Sequence, residues 1–398
     1  MRILLLNEYF PPDTSATAKM AALVVDELAR THHVTVLCGR PSYDPSERHP
    51  FYFLRREVRG YLTIERVGST TYPRFRMRHR VSNYLTYLAL AVPRALLLRA
   101  DVILSMTDPP IAGIAGAMVA ALKRRPFIYN IRDMYPDMAL GGEIVRPSRW
   151  VDRWERMHRW ALRRAARIIV LGEDMRERII AKGASPERVV IVRDGVPIPE
   201  ALPTSDHPVS QEIRGGFPFV LLHAGNLGFY GAWETLIRAS RELESDGVGL
   251  VFVGEGAQRD RMQAAANGSR AVRFLPFRPV EQVPHVLAAG DLHIVTIKRG
   301  LEGVVVPSKL YGILAAGRPV LAVAPDSSDV ARIIRRVGCG AVADPDDPAS
   351  VVSSVRKLRA NPEELSAMGQ RARAAAQEFE RQKHLSLFAE IVESVQGL

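Results

Sequence analysis

The segment Lys298-Arg-Gly-Leu-Glu-Gly-Val-Val-Val-Pro-Ser-Lys-Leu-Tyr-Gly-Ile-Leu-Ala-Ala-Gly-Arg-Pro-Val320 decides how its half of the chain folds. It leaves a predicted strand that ends near Thr296, crosses a glycine-containing loop and enters a predicted helix at about Pro307–Ser308. Proline in the first helical turn followed by small residues is a good helix start. The helix runs Leu310–Ala316 and stops at Gly317, and Arg318-Pro319 leads into another buried strand. Strand, helix and strand in this order form a crossover between parallel strands. Free N–H groups at the helix start, with the positive end of its dipole, suit a phosphate. Ser308 and Lys309 add a hydroxyl and an ammonium there, and Glu302 on the loop is placed to accept sugar hydroxyls. The plainer alternative is an ordinary crossover with one surface lysine.

The same alternation extends outward. In the first half, strands are predicted at Arg2–Leu6, His33–Leu37, Leu62–Val67, Asp101–Leu104, Phe127–Ile131, Arg167–Leu171 and Val189–Val192, mostly separated by helical stretches beginning with Ala16–Arg30. The proline-spaced stretch 196–203 reads as a linker. Beyond it, strands are predicted at Phe219–His223, Gly249–Val253, Val272–Leu275, Leu292–Thr296, Val320–Val323 and Gly340–Val342, with three more helices closing the chain. Two successive doubly wound α/β units are therefore expected, with ligands at the carboxyl ends of the strands and a cleft between the two sheets as the natural site.

Composition agrees with two packed domains: 398 residues, 47% hydrophobic and 24% charged. Fibrous and wholly disordered readings fail. Cys38 and Cys339 stand alone, which leaves disulfide scaffolds and cysteine-rich zinc sites unsupported and suits a reducing compartment. The start of the chain has too short an apolar stretch for a signal peptide, and no run reaches the about 18 apolar residues of a spanning helix. Charge is uneven. Residues 1–198 hold 32 basic against 20 acidic side chains, and the remainder 22 against 23. An anionic partner for the first half is expected, a lipid surface before a nucleic acid. The alternative is an arginine-rich composition without a specific partner.

Further motifs follow strands. His223-Ala-Gly-Asn-Leu-Gly-Phe-Tyr-Gly231 lets backbone approach a ligand, although such loops also occur without one. Val253-Gly-Glu-Gly256 begins like a dinucleotide fingerprint but has Arg259 in place of its third glycine. Asp13, Thr14 and Ser15 either cap the first long helix or sit near an acceptor. Arg132, Asp133 and Tyr135 cluster after the fifth predicted strand, as an acceptor-side site or a surface ion pair. Asp344-Pro-Asp346-Asp347 reads as turn and cap, not as a metal clamp, and the histidines show no metal-ligand spacing. A serine nucleophile elbow is absent. Two cationic helical stretches remain, Arg74–Arg80 running into Val81–Leu98, and Trp150–Arg167. The first suits a membrane interface. For the second, a core-packed helix with a solvated arginine face is the preferred reading.

These residues resemble the retaining nucleotide-sugar glycosyltransferases of family four, which have the GT-B architecture, and among them the L-fucosamine transferases of O-antigen and colanic-acid synthesis. The resemblance spans the chain through Tyr9-Phe-Pro-Pro12, Arg132-Asp-Met-Tyr-Pro-Asp137, Ala224-Gly-Asn-Leu-Gly228, Val253-Gly-Glu-Gly256, Phe274-Leu-Pro-Phe277 and, most specifically, Val306–Val320. It implies two facing Rossmann-like domains: 1–198 with about 382–398, binding acceptor, and 199–381, binding donor. A C-terminal helix would cross back to the first. It also implies catalytic roles for Glu302, Lys309 and Asp133. Donor contacts would come from Gly225, Asn226, Gly254, Phe277, Arg278, Lys298, Gly303, Val304, Ser308 and Tyr311. Acceptor contacts would come from Thr14, Ser15, Arg132 and Tyr135.

Two departures stand out. Gly312 occupies the place of the second glutamate of the family's paired-glutamate motif, and the first C-terminal glycine loop has Asn226 and Tyr230 where many members carry cations. Lys298 and Lys309 are the candidates for the missing diphosphate charges. The implied activity moves a sugar from a nucleoside diphosphate, UDP-linked and of N-acetylated amino or deoxy type, to a lipid-linked or glycan acceptor. No metal or other cofactor and no nucleic acid is expected, and the protein would lie peripherally on the inner face of the cytoplasmic membrane. A nucleotide-sugar 2-epimerase of the same architecture and a non-catalytic nucleotide-sugar-binding scaffold are the alternatives.

Overall fold

The computed structural model describes residues 1–43, 50–73, 76–202 and 204–396, and the chain divides into two units. The first comprises Met1–Leu140, Val145–Arg193 and Lys383–Leu398, and the second Gly141–Ile144 and Asp194–Gln382.

The first unit holds an eight-stranded sheet: β1 (Arg2–Leu6), β2 (His33–Cys38), β3 (Leu54–Arg59), β4 (Leu62–Val67), β5 (Val102–Ser105), β6 (Phe127–Asn130), β7 (Arg167–Val170) and β8 (Val189–Ile191). Its order is β3-β4-β2-β1-β5-β6-β7-β8, parallel throughout except the β3–β4 pair. The helix Ala16–Leu28 returns the chain from β1 to β2 in one direction across the sheet. Helices Met77–Leu97, Ala112–Lys123 and Arg149–Arg164 lead from β4 to β5, β5 to β6 and β6 to β7 in the other. Right-handed crossovers put the first helix on one face and these three together on the opposite face. On the Ala16–Leu28 side, the closing helix Arg381–Glu393 and the turn after it insert Leu385, Phe388, Ile391, Val392 and Val395 into the core beside Val24, Val25 and Leu28. Each such side chain contributes about 1.5–3 kcal/mol by leaving water.

The second unit has a six-stranded, wholly parallel sheet in the order β11-β10-β9-β12-β13-β14. Its strands are β9 (Phe219–Ala224), β10 (Val248–Val253), β11 (Val272–Leu275), β12 (Leu292–Thr296), β13 (Val320–Val323) and β14 (Gly340–Ala343). Both faces are covered, with Leu221, Leu250, Ile294 and Leu321 in one core and Val220, Leu222, Val251 and Val253 in the other. This explains why these strands read as unbroken apolar runs.

Every strand expected from the sequence is present, its ends within one residue of the expectation. The additional strand is β3, whose LRREVR sequence is exposed along nearly its whole length. The helix expected from Val81 begins earlier, at Met77, and so takes in part of the arginine-rich lead; Arg74 and Phe75 lie outside the described residues. Trp150–Arg167 is a core-packed helix with a solvated arginine face, as expected, over Arg149–Arg164, with Arg167 already in β7. Its helix packs through Val151, His158, Ala161 and Leu162, while Trp150 and Trp160 face solvent. The stretch read as a linker starts tied down. Val196 N–H donates to Phe379 O at 2.9 Å, and Arg381 N–H donates back to Val196 O at 3.1 Å; Pro203 lies outside the described residues. Asp347 caps Pro348–Arg359 through Ala349 N–H and Ser350 N–H, as its reading as a cap required.

Candidate functional site

Three loops meet at the carboxyl edge of the second unit's sheet. The loop after β9 begins with Gly225 at φ +139°, a conformation that favours glycine. The loop after β10 packs onto it: Gly225 N–H donates to Val253 O at 2.9 Å and Leu227 N–H to Glu255 O at 2.8 Å. A Cβ at Gly254 would lie 2.0 Å from Gly225 O, so the Val253-Gly-Glu-Gly256 motif serves this close approach of two backbones. The loop after β12 joins them where Lys298 N–H donates to Tyr230 O at 2.6 Å.

Lys309 enters this group from the helix Lys309–Ala315. Its Nζ donates to His223 Nε2 at 2.9 Å, lies 5.8 Å from the Tyr230 ring centroid, and would sit 3.2 Å from a Cβ at Gly225. Burial lowers the Lys309 pKa to about 7. His223 is fully buried, and desolvation together with the Lys309 charge holds its pKa well below the usual imidazole value. A neutral His223 therefore accepts one ammonium proton and leaves two to point elsewhere. Glu302 lies at the Gly303 turn, and its buried Oε2 has no hydrogen-bond partner. Lys298 and Asn226 are exposed on the same loops, while Gly303 and Val304 are buried in theirs.

Four more of the residues expected to contact donor have these surroundings. Tyr311 is 1% exposed and stacks on Phe379 with centroids 5.0 Å apart, so its ring is a packing element. Arg278 is paired with Glu212. Phe277 stands 53% exposed past β11. Ser308 is exposed and makes no side-chain cap bond to its helix. At Gly312 a Cβ would meet nothing nearer than Leu287 Cδ1 at 4.0 Å.

The first unit presents a different edge. Asn7, Glu8, Asp13, Arg40, Thr107, Asn130 and Arg132, all buried, lie at or just beyond the carboxyl ends of β1, β2, β5 and β6. Asp13 Oδ1 accepts from Ser42 N–H and Tyr43 N–H at 2.8 Å each, while Asp13 Oδ2, Ser42 Oγ, Thr107 Oγ1 and Asn130 Oδ1 are buried without hydrogen-bond partners. Burial raises the Asp13 pKa. Ser15 is the helix cap, accepting from Ala18 N–H at 3.0 Å; Thr14 is exposed. Asp133 and Tyr135 are half-buried beside Arg132. Tyr135 stacks on Trp154, and burial with nearby Asp133 and Asp108 raises its phenol pKa. Sequence reading missed Glu8 and Thr107; their signal was a polar residue two positions past the end of a buried strand. Among the described residues no group of three or more His, Cys, Asp or Glu is placed to hold a metal ion.

Two parallel doubly wound sheets in one chain, the second with its glycine loops at the carboxyl edge, define the GT-B class of fold. The Glycosyl transferase 4-like domain matches residues 15–195, and the Glycosyl transferases group 1 domain matches residues 209–375. The chain belongs to the glycosyltransferases. It is 25% identical over 265 residues to glycosyltransferase WbjE of Pseudomonas aeruginosa, covering 65% of this chain and 66% of that one. To WcaI of Escherichia coli K12, named as a colanic acid biosynthesis glycosyl transferase, it is 23% identical over 380 residues, covering 90% and 92%. The crystal structure of Anabaena Alr3699/HepE in complex with UDP shares the fold with a TM-score of 0.69 at 18% identity, over 99% of this chain and 100% of that one.

Proposed function

We propose that the chain transfers a sugar from a nucleoside diphosphate to a lipid-linked or glycan acceptor in the assembly of a bacterial surface polysaccharide, with retention at the anomeric carbon. The donor is UDP-linked, a reading supported by the HepE complexes with UDP and UDP-glucose. The sugar is of N-acetylated amino or deoxy type. The polysaccharide assignment draws on the name of WcaI.

The observation that carries the proposal is the part-buried amine of Lys309 held against the Gly225 loop by His223. As the anomeric C–O bond breaks, negative charge grows on the departing diphosphate. Once protonated, this desolvated group has two free protons and stabilises that charge more than a solvated one would. Lys298 adds a second cation from the β12 loop. The unpartnered Glu302 Oε2 takes a sugar hydroxyl. On the acceptor side, the attacking hydroxyl enters on the leaving-group face and passes its proton to the departing phosphate, with Asp133 orienting it. The buried oxygens of Asp13, Thr107 and Asn130 receive the acceptor's hydroxyls. Charge compensation is assigned to these groups, and no metal or other cofactor enters the scheme.

The test incubates purified protein with lipid-linked acceptors and a panel of UDP-, GDP- and TDP-sugars, and reads products by mass and anomeric configuration. An α-linked product from an α-linked UDP-sugar is expected. Sugar isomerisation without an acceptor, or binding without turnover across the panel, contradicts the proposal.

A further inference from the structure

The helices Met77–Leu97, Ala112–Lys123 and Arg149–Arg164 form one layer on the first unit's sheet. The middle helix packs on both neighbours, and Lys123 Nζ donates to Leu96 O at 2.9 Å. Their outer surfaces carry an unusual mixture. Val81, Leu85, Leu90, Leu96 and Leu97 are exposed on the first helix, and Met118 and Leu122 on the second. The third exposes Trp150, Met157 and Trp160, with Trp150 at 80%. Spacings of seven and ten residues place these three side chains within about 80° of one another around the helix. Over 76–99, 112–125 and 149–164 the sequence has 14 basic and 2 acidic residues. Of the acidic ones, Glu155 is already engaged by Arg159 and Lys182.

We propose that this three-helix layer is a docking face for an anionic bilayer surface. Exposed leucines and tryptophans alone would fit any apolar partner, and charge decides between partners. Arginines stand among and beside the apolar groups, including Arg153 and Arg164 within the Trp150–Trp160 stripe and Arg156 and Arg163 next to it. Guanidinium groups take lipid phosphates while indole rings settle at headgroup depth. No helix among the described residues is long and apolar enough to cross a membrane, so the face lies on the surface and does not span it. The inference deepens the proposal of a lipid-linked acceptor and rests on it for its purpose: the bilayer that presents the acceptor also holds the enzyme.

The test uses the full chain without donor or acceptor, sedimented with vesicles of phosphatidylcholine alone or with about one third phosphatidylglycerol. Binding to the anionic vesicles should be at least about tenfold stronger and should weaken as salt rises. Trp150→Ser with Trp160→Ser should lower that binding about tenfold or more. Arg153→Glu with Arg156→Glu should abolish the preference for anionic lipid. All four positions are exposed, so thermal midpoints should match the parent, and transfer to a water-soluble acceptor analogue should stay within about twofold of it. Equal binding to both vesicles, absent binding, or variants that bind like the parent would overturn the proposal. So would self-association of the parent that the tryptophan variants dissolve, which would make the face an interface between copies. Failure of transfer with intact vesicle binding would count against the glycosyltransferase reading alone.

Discussion

The carboxyl edge of the second unit's sheet is mostly glycine and backbone, with the Lys309 amine on buried His223 and the unpartnered Glu302 Oε2. The same edge of the first unit's sheet is crowded with buried carboxylate, amide and hydroxyl side chains, together with the guanidinium groups of Arg40 and Arg132. Both edges arise from the same strand-to-loop turns, so the fold does not explain the contrast. Glycine loops let backbone come close to a ligand, and a lysine whose pKa is lowered by burial gains charge beside an anion. Buried oxygens without partners instead favour a ligand rich in hydroxyls, because each needs a donated hydrogen bond. One edge suits a diphosphate, the other a sugar.

The comparison breaks first at Lys309. Lys309→Met keeps the bulk and removes the charge, and kcat/KM for the donor should fall about 10²–10³-fold. Its thermal midpoint should not drop, because a buried amine is removed. Near-parental kinetics would end the assignment. A smaller loss, about tenfold in UDP affinity with roughly 1–3 kcal/mol of stability, is expected from Gly254→Ala, which drives a Cβ into Gly225 O. Calorimetry and urea unfolding of that variant read both effects.

Sharpening the contrast requires a change confined to the other edge. Thr107→Val with Asn130→Ala should raise the acceptor KM about three- to tenfold while leaving the donor KM unchanged, since one or two hydrogen bonds are lost. Initial rates with each substrate varied in turn separate the two. A titration effect is smaller. Folded Lys309 loses its proton near pH 7, whereas in the unfolded chain it holds one until about pH 10.5. Between these values the unfolded state binds more protons, so this group makes stability rise with pH, by at most about 1.4 kcal/mol per unit. Urea unfolding at pH 7.5 and 8.5 should show that contribution in the parent and not in Lys309→Met. Smallest of all, Tyr311→Phe should change donor kinetics less than about twofold, because its ring lies in the core.

Much of the fold was legible because parallel strands buried on both faces leave continuous apolar runs, as Phe219–Ala224 and Val248–Val253 do. β3 escaped because a charged, exposed edge strand has no apolar face to announce it. Within the site, the glycine loops and Lys309 could be read from short-range pattern. The partnership with His223 could not, since the two residues are 86 positions apart and nothing local links them. Tyr311, a donor contact implied only by the resemblance, lies two positions from Lys309 on its helix, a spacing that turns a side chain away from its neighbour's face.

Proton uptake on UDP binding is the decisive measurement, made by calorimetry near pH 8 in buffers of different ionisation enthalpy. If Lys309 meets the diphosphate, the neutral amine must gain a proton as the anion binds. The parent should then take up most of one proton and bind more weakly as pH rises from 7.5 to 9, while Lys309→Met should show neither effect. UDP binding without proton uptake in the parent, at an affinity independent of pH over that range, would contradict the account.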